Sequence, residues 1–178
     1  MKKILPLLLC LLPLLGMLAG CGSTAKLGKT TVYVVRHAEK DTTPGLADPP
    51  LTDLGKSRAV ALRDQLQDKK IAAIFSTATA RTRTTAEPLA TELQLPIQTY
   101  DARQLPALAA RLRREYAGRV VLVVGHSNTM LETVEALGAP RPVPTVGDEE
   151  YNYLLEVTMP QDSTQAATAT AHRYGASN

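Results

Sequence analysis

The sequence predicts an α/β fold: one domain in three layers, with a mainly parallel sheet carrying helices on both faces. Three observations lead there. Short apolar runs alternate with segments of helical periodicity along residues 31–178, the order that yields parallel strands joined by crossover helices. The connections between the first four runs are long enough to hold those crossovers. The first run, Val32–Val35, is apolar at every position, as expected of a strand buried on both faces.

Each element has its own signal. After Val32–Val35, the segment LTDLGKSRAVALRDQL at 51–66 places Leu54, Ala61, Leu62 and Leu66 at helical spacing, with Thr52 as its N-cap. IAAIFST is the second strand. A second helix is expected over Ala80–Leu93 with Ala86, Leu89, Ala90 and Leu93 on one face, and Pro88 should bend it or shorten its first part. IQTYD is a weak third strand. LPALAARLRREY at 105–116 is a third helix, with Pro106 in its first turn and Gly118 near its end. RVVLVVGHS is the strongest strand and leads into a helix over 128–137. A Pro-rich loop, GAPRPVPTVGDEE, precedes two closing strands, YNYLLEVTM and ATATAHRY, joined by a polar turn.

The first twenty residues stand apart from this pattern. Lys2 and Lys3 precede a Leu-rich run from Ile4 to Gly20, and small residues lead to Cys21, the layout of an export signal. The run contains Pro6 and Pro13 and falls short of the ~20 residues a spanning helix needs. LAGC at Leu18–Cys21 resembles the lipobox of bacterial lipoproteins. That resemblance implies cleavage before Cys21, lipidation of Cys21 and a protein tethered outside the cytoplasm to a bacterial membrane. The expected organisation is a signal peptide at 1–20, a polar tether at 21–30 and a domain at 31–178.

Loss of residues 1–20 removes two lysines and no acidic residue, so the formal charge of +3 falls to +1. That balance gives nucleic acid no purchase. Cys10 goes with the signal and Cys21 would carry lipid, leaving a domain without disulfides, Cys nucleophiles or Cys-ligated metals. Nor does any His/Asp/Glu spacing read as a metal site, and no cofactor is expected.

The chemistry concentrates at strand ends. His37 follows VYVVR and His126 follows VVLVVG. In a parallel sheet both emerge on one edge, where ligands of such folds bind. Arg36 accompanies His37, and Arg81 and Arg83 open the helix after the second strand. Guanidinium groups at a helix N-terminus suit phosphate oxygens. Two imidazoles and at least two guanidiniums on one edge make an anion site.

These residues resemble the histidine phosphatase superfamily, which includes phosphoglycerate mutases and histidine acid phosphatases. The similarity runs through VVRHAEK (with Ala38 where Gly is usual), LTDLGKSRAVAL, STATARTRTTAEPLA and VVLVVGHSNT, in the family's order over roughly 31–137. It implies a phosphoglycerate mutase-like fold, with His37 accepting the phosphoryl group, Arg36 and Arg81 binding its oxygens and His126 completing the pocket. Arg81 is preferred to Arg83 because Arg-Thr-x-x-Thr-Ala fits RTRTTA only from Arg81. Lys40 stands where one branch carries a further phosphate-binding Arg. The carboxylic acid that protonates the leaving oxygen has no assured counterpart: Ser127 follows His126, and Asp101, Glu39, Asp148 and Glu149 are the candidates. His172, in the last strand, reads as structural.

The activity this implies is phosphomonoester hydrolysis through a phosphohistidine, acting without a metal on phosphorylated small molecules or exposed phosphate groups. Two other readings stand beside it. A mutase-like phosphotransferase fits the same residues, but an exported protein lacks ready access to cytosolic sugar phosphates. A non-catalytic lipoprotein binding phosphorylated ligands fits the missing acid. An esterase reading of GHSNT fails, because Thr129 replaces the second Gly of the nucleophile elbow.

Overall fold

A computed structural model describes residues 28–162 and 164–177. The expected signal peptide, the lipidation site Cys21 and most of the tether lie outside the described residues.

Six strands and four helices follow one another as β1 (Thr30–Arg36), α1 (Asp53–Leu66), β2 (Ile71–Ser76), α2 (Ala80–Glu92), β3 (Ile97–Thr99), α3 (Leu105–Glu115), β4 (Val120–Gly125), α4 (Ser127–Ala136), β5 (Tyr153–Met159) and β6 (Thr168–Arg173). They form one six-stranded sheet in the order β3-β2-β4-β1-β5-β6. The first four in chain order are mutually parallel, whereas β5 runs antiparallel to β1 and β6 antiparallel to β5.

The two-residue alternation of a strand divides the core. Val32 and Val34 of β1 pack with Val121, Val123 and Phe75 under α3 and α4. Tyr33 and Val35 turn to the other face and pack with Ile74, Leu122 and Val124 under α1 and α2. This is the three-layer sandwich the alternation predicts. Gly118 takes a positive φ of 71° between α3 and β4, a conformation that costs Gly nothing.

Three local expectations need correction. Leu54 is 55% exposed, and α1 instead buries Gly55, Arg58, Ala59, Leu62 and Leu66. The inward face is rotated by one residue because Arg58 faces in to meet a carboxylate. Pro88 does not shorten the first part of α2, which runs from Ala80 to Glu92. The tether was expected to reach residue 30, yet Thr30 is buried and already part of β1. The N-cap of α1 is Thr52, as its sequence indicates: its hydroxyl accepts the Gly55 N–H at 3.1 Å.

Candidate active site

Because β2, β4 and β1 are parallel neighbours, their carboxyl ends open on one edge. Register pairs Arg36 with Gly125 and Ser76 with Val124. Residues following the three strands therefore converge: Arg36 and His37 from β1, Thr77 from β2, His126 from β4. The His37 N–H donates to the Gly125 carbonyl at 2.9 Å, which ties the two histidine-bearing strand ends together. Gly125 suits this junction because a Cβ there would lie 2.8 Å from the Tyr100 hydroxyl.

His37 is 4% exposed. Its Nδ1 lies 2.8 Å from the Ala38 carbonyl. A carbonyl only accepts, so the proton sits on Nδ1 and the Nε2 lone pair is free. Burial pushes the pKa down to about 3, against the raising effect of the Ala38 bond and with help from Arg36, Arg81 and His126. A neutral imidazole with an unshared pair on Nε2 can serve as a nucleophile. The sign is that of a histidine buried neutral. Between pH 6.5 and about 3 the unfolded chain takes a proton that the folded chain refuses, so stability is full above pH 6.5 and falls as pH drops. An NMR titration is expected to show no imidazolium at His37 above about pH 4. A midpoint near its ordinary value would contradict the assigned environment.

The guanidiniums flank it. Arg36, 5% exposed, donates through Nη1 to the Gly147 and Asp148 carbonyls at 3.2 and 2.6 Å, and its Cζ stands 4.0 Å over the Tyr151 ring. Arg81 is in the first turn of α2, and its Nη1 is 3.4 Å from Asp48 Oδ1. The Nε atoms of Arg36 and Arg81 are both buried without a hydrogen-bond partner. Buried guanidinium N–H groups are costly to leave unpaired, so these two ask for an anion.

The His126 and His37 rings meet edge to face at 5.6 Å between centroids. The His126 Nε2 is 3.0 Å from the Thr77 hydroxyl, which in turn is 2.9 Å from that of Thr82. Burial, then Arg81 and Arg36, lower the His126 pKa. Thr85 crosses from α2 to accept the Ala38 N–H at 2.9 Å. The RTRTTA segment thus has a physical basis from Arg81 onward: Thr82 supports Thr77, and Thr85 locks the backbone beside His37.

The remaining sequence candidates separate. Arg83 is exposed, with Nη1 3.5 Å from the Thr99 hydroxyl. The Lys40 backbone is bridged to Leu51 three residues beyond His37. Glu39 is gripped by Arg58, whose Nε lies 2.9 and 3.0 Å from its two oxygens and Nη2 2.6 Å from Oε1. Asp101 lines a cleft of about 420 Å³ with His126, Thr77 and Tyr100. Bonds from Arg103 hold its carboxyl below the ordinary range. Asp148 lends Arg36 its carbonyl while its side chain is exposed, as is that of Glu149. His172 lies on edge strand β6, its Nε2 3.4 Å from Glu156 Oε2. No group of three or more His, Cys, Asp or Glu side chains suited to a metal occurs among the described residues.

Sequence reasoning missed Tyr151, Thr77 and Asp48. Tyr151 precedes an antiparallel strand, so the start of β5, not its end, meets the site. Thr77 was within reach, since it follows β2 as His37 follows β1. Asp48 arrives from a loop with no periodic signal.

Residues 32–104 match the family model described as histidine phosphatase superfamily (branch 1). No curated protein matches the chain. Among solved structures, a mycobacterial glucosyl-3-phosphoglycerate phosphatase in complex with inorganic phosphate superposes with a TM-score of 0.62 at 16% identity, covering 83% of this chain and 97% of that one. The protein histidine phosphatase SixA complexed with tungstate gives 0.61 at 20% identity, covering 81% and 95%. SixA from Agrobacterium tumefaciens gives 0.59 at 20% identity, covering 84% and 99%. The fold is phosphoglycerate mutase-like, and residues 32–104 are similar to the histidine phosphatase superfamily.

Proposed function

We propose that this protein is a phosphatase that hydrolyses phosphomonoesters through a phosphohistidine at His37, without a metal cofactor. One observation carries the reading: two buried guanidinium Nε–H groups without partners flank a neutral imidazole whose Nε2 lone pair is free. A phosphoryl group supplies the missing acceptors. His37 Nε2 attacks phosphorus and the ester P–O bond breaks, releasing the alcohol with a proton taken from solvent; water then attacks phosphorus, breaks the P–N bond and leaves inorganic phosphate and the free imidazole. Charge spread over the equatorial oxygens falls against Arg36 and Arg81, so positioned cations do most of the catalytic work. The structural neighbours in complex with phosphate and tungstate support an oxyanion at this kind of site.

The protein acts outside the cytoplasm in this reading, tethered to a membrane through lipidated Cys21. The support is the run from Lys2 to Cys21.

Phosphate release from p-nitrophenyl phosphate, a sugar phosphate and a phosphohistidine peptide is the test. Turnover is expected to persist in chelator, and palmitate labelling of the full chain to vanish in Cys21→Ser. A strict metal requirement, or phosphoryl transfer to an acceptor in place of release, would overturn the hydrolase reading. Phosphate binding without turnover would instead favour a ligand-binding lipoprotein.

A further inference from the structure

The loop between β1 and α1 brings a carboxylate to the anion site, a contact the phosphatase reading leaves without a role. Asp48 Oδ2 accepts the Ala80 N–H at 2.8 Å, and its Oδ1 lies 3.4 Å from Arg81 Nη1. The N-cap of α2, Thr79, makes no side-chain bond to the helix's own N–H groups. Its hydroxyl is 2.9 Å from that of Thr82 instead. Asp48 therefore satisfies from outside one of the first-turn N–H groups that have no partner within the helix. The same carboxylate reaches the next residue, which is Arg81.

The stem behind Asp48 is stiff. Pro49 and Pro50 fix their φ angles, the Asp41 N–H donates to the Pro50 carbonyl at 2.8 Å, and the Thr52 N–H donates to the Glu39 carbonyl at 2.9 Å. Lys40 and Leu51 close the loop as a β-bridge. The carboxylate is thus held on a tied loop, not on a free tether.

We propose that Asp48 is a positioning residue for Arg81. It takes the outer nitrogen of the guanidinium and fixes the helix turn beneath it, so that the buried, unpartnered Nε faces the phosphoryl group. The inference rests on the anion site of the phosphatase reading.

Coulomb's law alone predicts the opposite effect. A carboxylate beside an anion site repels the anion, so its removal should tighten phosphate binding. Positioning predicts that removal weakens it. The sign decides.

Inorganic phosphate serves as the probe, by calorimetry or as an inhibitor of p-nitrophenyl phosphate turnover. Asp48→Ala is expected to weaken phosphate binding about tenfold, or ~1.4 kcal/mol. Asp48→Asn keeps an acceptor for Ala80 and should weaken it by roughly threefold, about half of that free energy. In an Arg81→Ala background Asp48→Asn should cost nothing further, because positioning acts only through Arg81. Unchanged or tighter binding in Asp48→Asn overturns the proposal, and so does an equal loss with and without Arg81. Should Asp48→Ala fail to fold, the Asn series alone decides. If the wild-type chain binds no phosphate, the anion site itself is wrong and this inference falls with it. Binding by the wild type with no loss in the variants sinks only the role of Asp48.

Discussion

Arg58→Met is expected to lower the free energy of unfolding by about 3–5 kcal/mol, the usual cost of stripping one partner from a buried ion pair. Arg58 is 3% exposed and lies in a helix face otherwise made of Gly55, Ala59, Leu62 and Leu66. Its guanidinium holds Glu39 through Nε and Nη2, and its Nη1 lies 3.3 and 3.0 Å from the carbonyls of Tyr174 and Ala176. One side chain thus joins the segment after His37, α1 and the C-terminal stretch. Methionine fills similar volume but leaves the Glu39 carboxylate half-enclosed without its cation. Urea unfolding at neutral pH measures the loss, and a change under 1 kcal/mol would show that Glu39 finds water or another partner at little cost. Methionine tests the partner, not the value of the pair. Replacing both residues with apolar ones is a different experiment with a smaller expected loss.

The Arg58 contact shows where sequence reading stops. Strand and helix positions were legible because burial on a sheet face imposes a period of two or an unbroken apolar run, and α3 and α4 carry apolar faces at helical spacing. The site's backbone was legible for the same reason: two histidines at the ends of neighbouring parallel strands must share an edge. Glu39 looked like a candidate proton donor because sequence shows a carboxylate near His37, not the guanidinium nineteen residues later that occupies it. Leu54 looked like core because hydrophobicity outvotes charge in any pattern. The inward position of Arg58 becomes visible only once Glu39 is known to wait there. Gly55 shows this tightness too. A Cβ on it would stand 2.2 Å from the Glu39 carbonyl oxygen, so the helix start packs directly on the backbone two residues beyond His37. Tyr151 was illegible for a topological reason, since β5 had to be known as antiparallel before its leading loop could be placed beside Arg36.

His37→Ala is expected to reduce kcat/KM for a phosphomonoester by on the order of 10⁴-fold or more, the scale on which removal of a covalent nucleophile acts. In the structure it is Nε2 of His37 that combines a free lone pair, burial between Arg36 and Arg81, and a tautomer fixed by a backbone carbonyl. His126 differs in each respect: it is half-buried, its Nε2 is engaged by Thr77, and it caps α4. His126→Ala should therefore lower the rate while leaving phosphoenzyme formation detectable. The fold is not at risk in either variant to the degree that it is in Arg58→Met. Alanine at 37 removes a buried polar ring and leaves the backbone bond from residue 37 to the Gly125 carbonyl in place.

Rapid-quench labelling with a ³²P-phosphomonoester tests the central claim most directly. A phosphohistidine route gives an acid-labile, alkali-stable phosphoramidate that forms within one turnover, maps to the peptide containing His37 and is absent from His37→Ala. Label on any other residue, or full turnover by His37→Ala with no trapped intermediate, would contradict it.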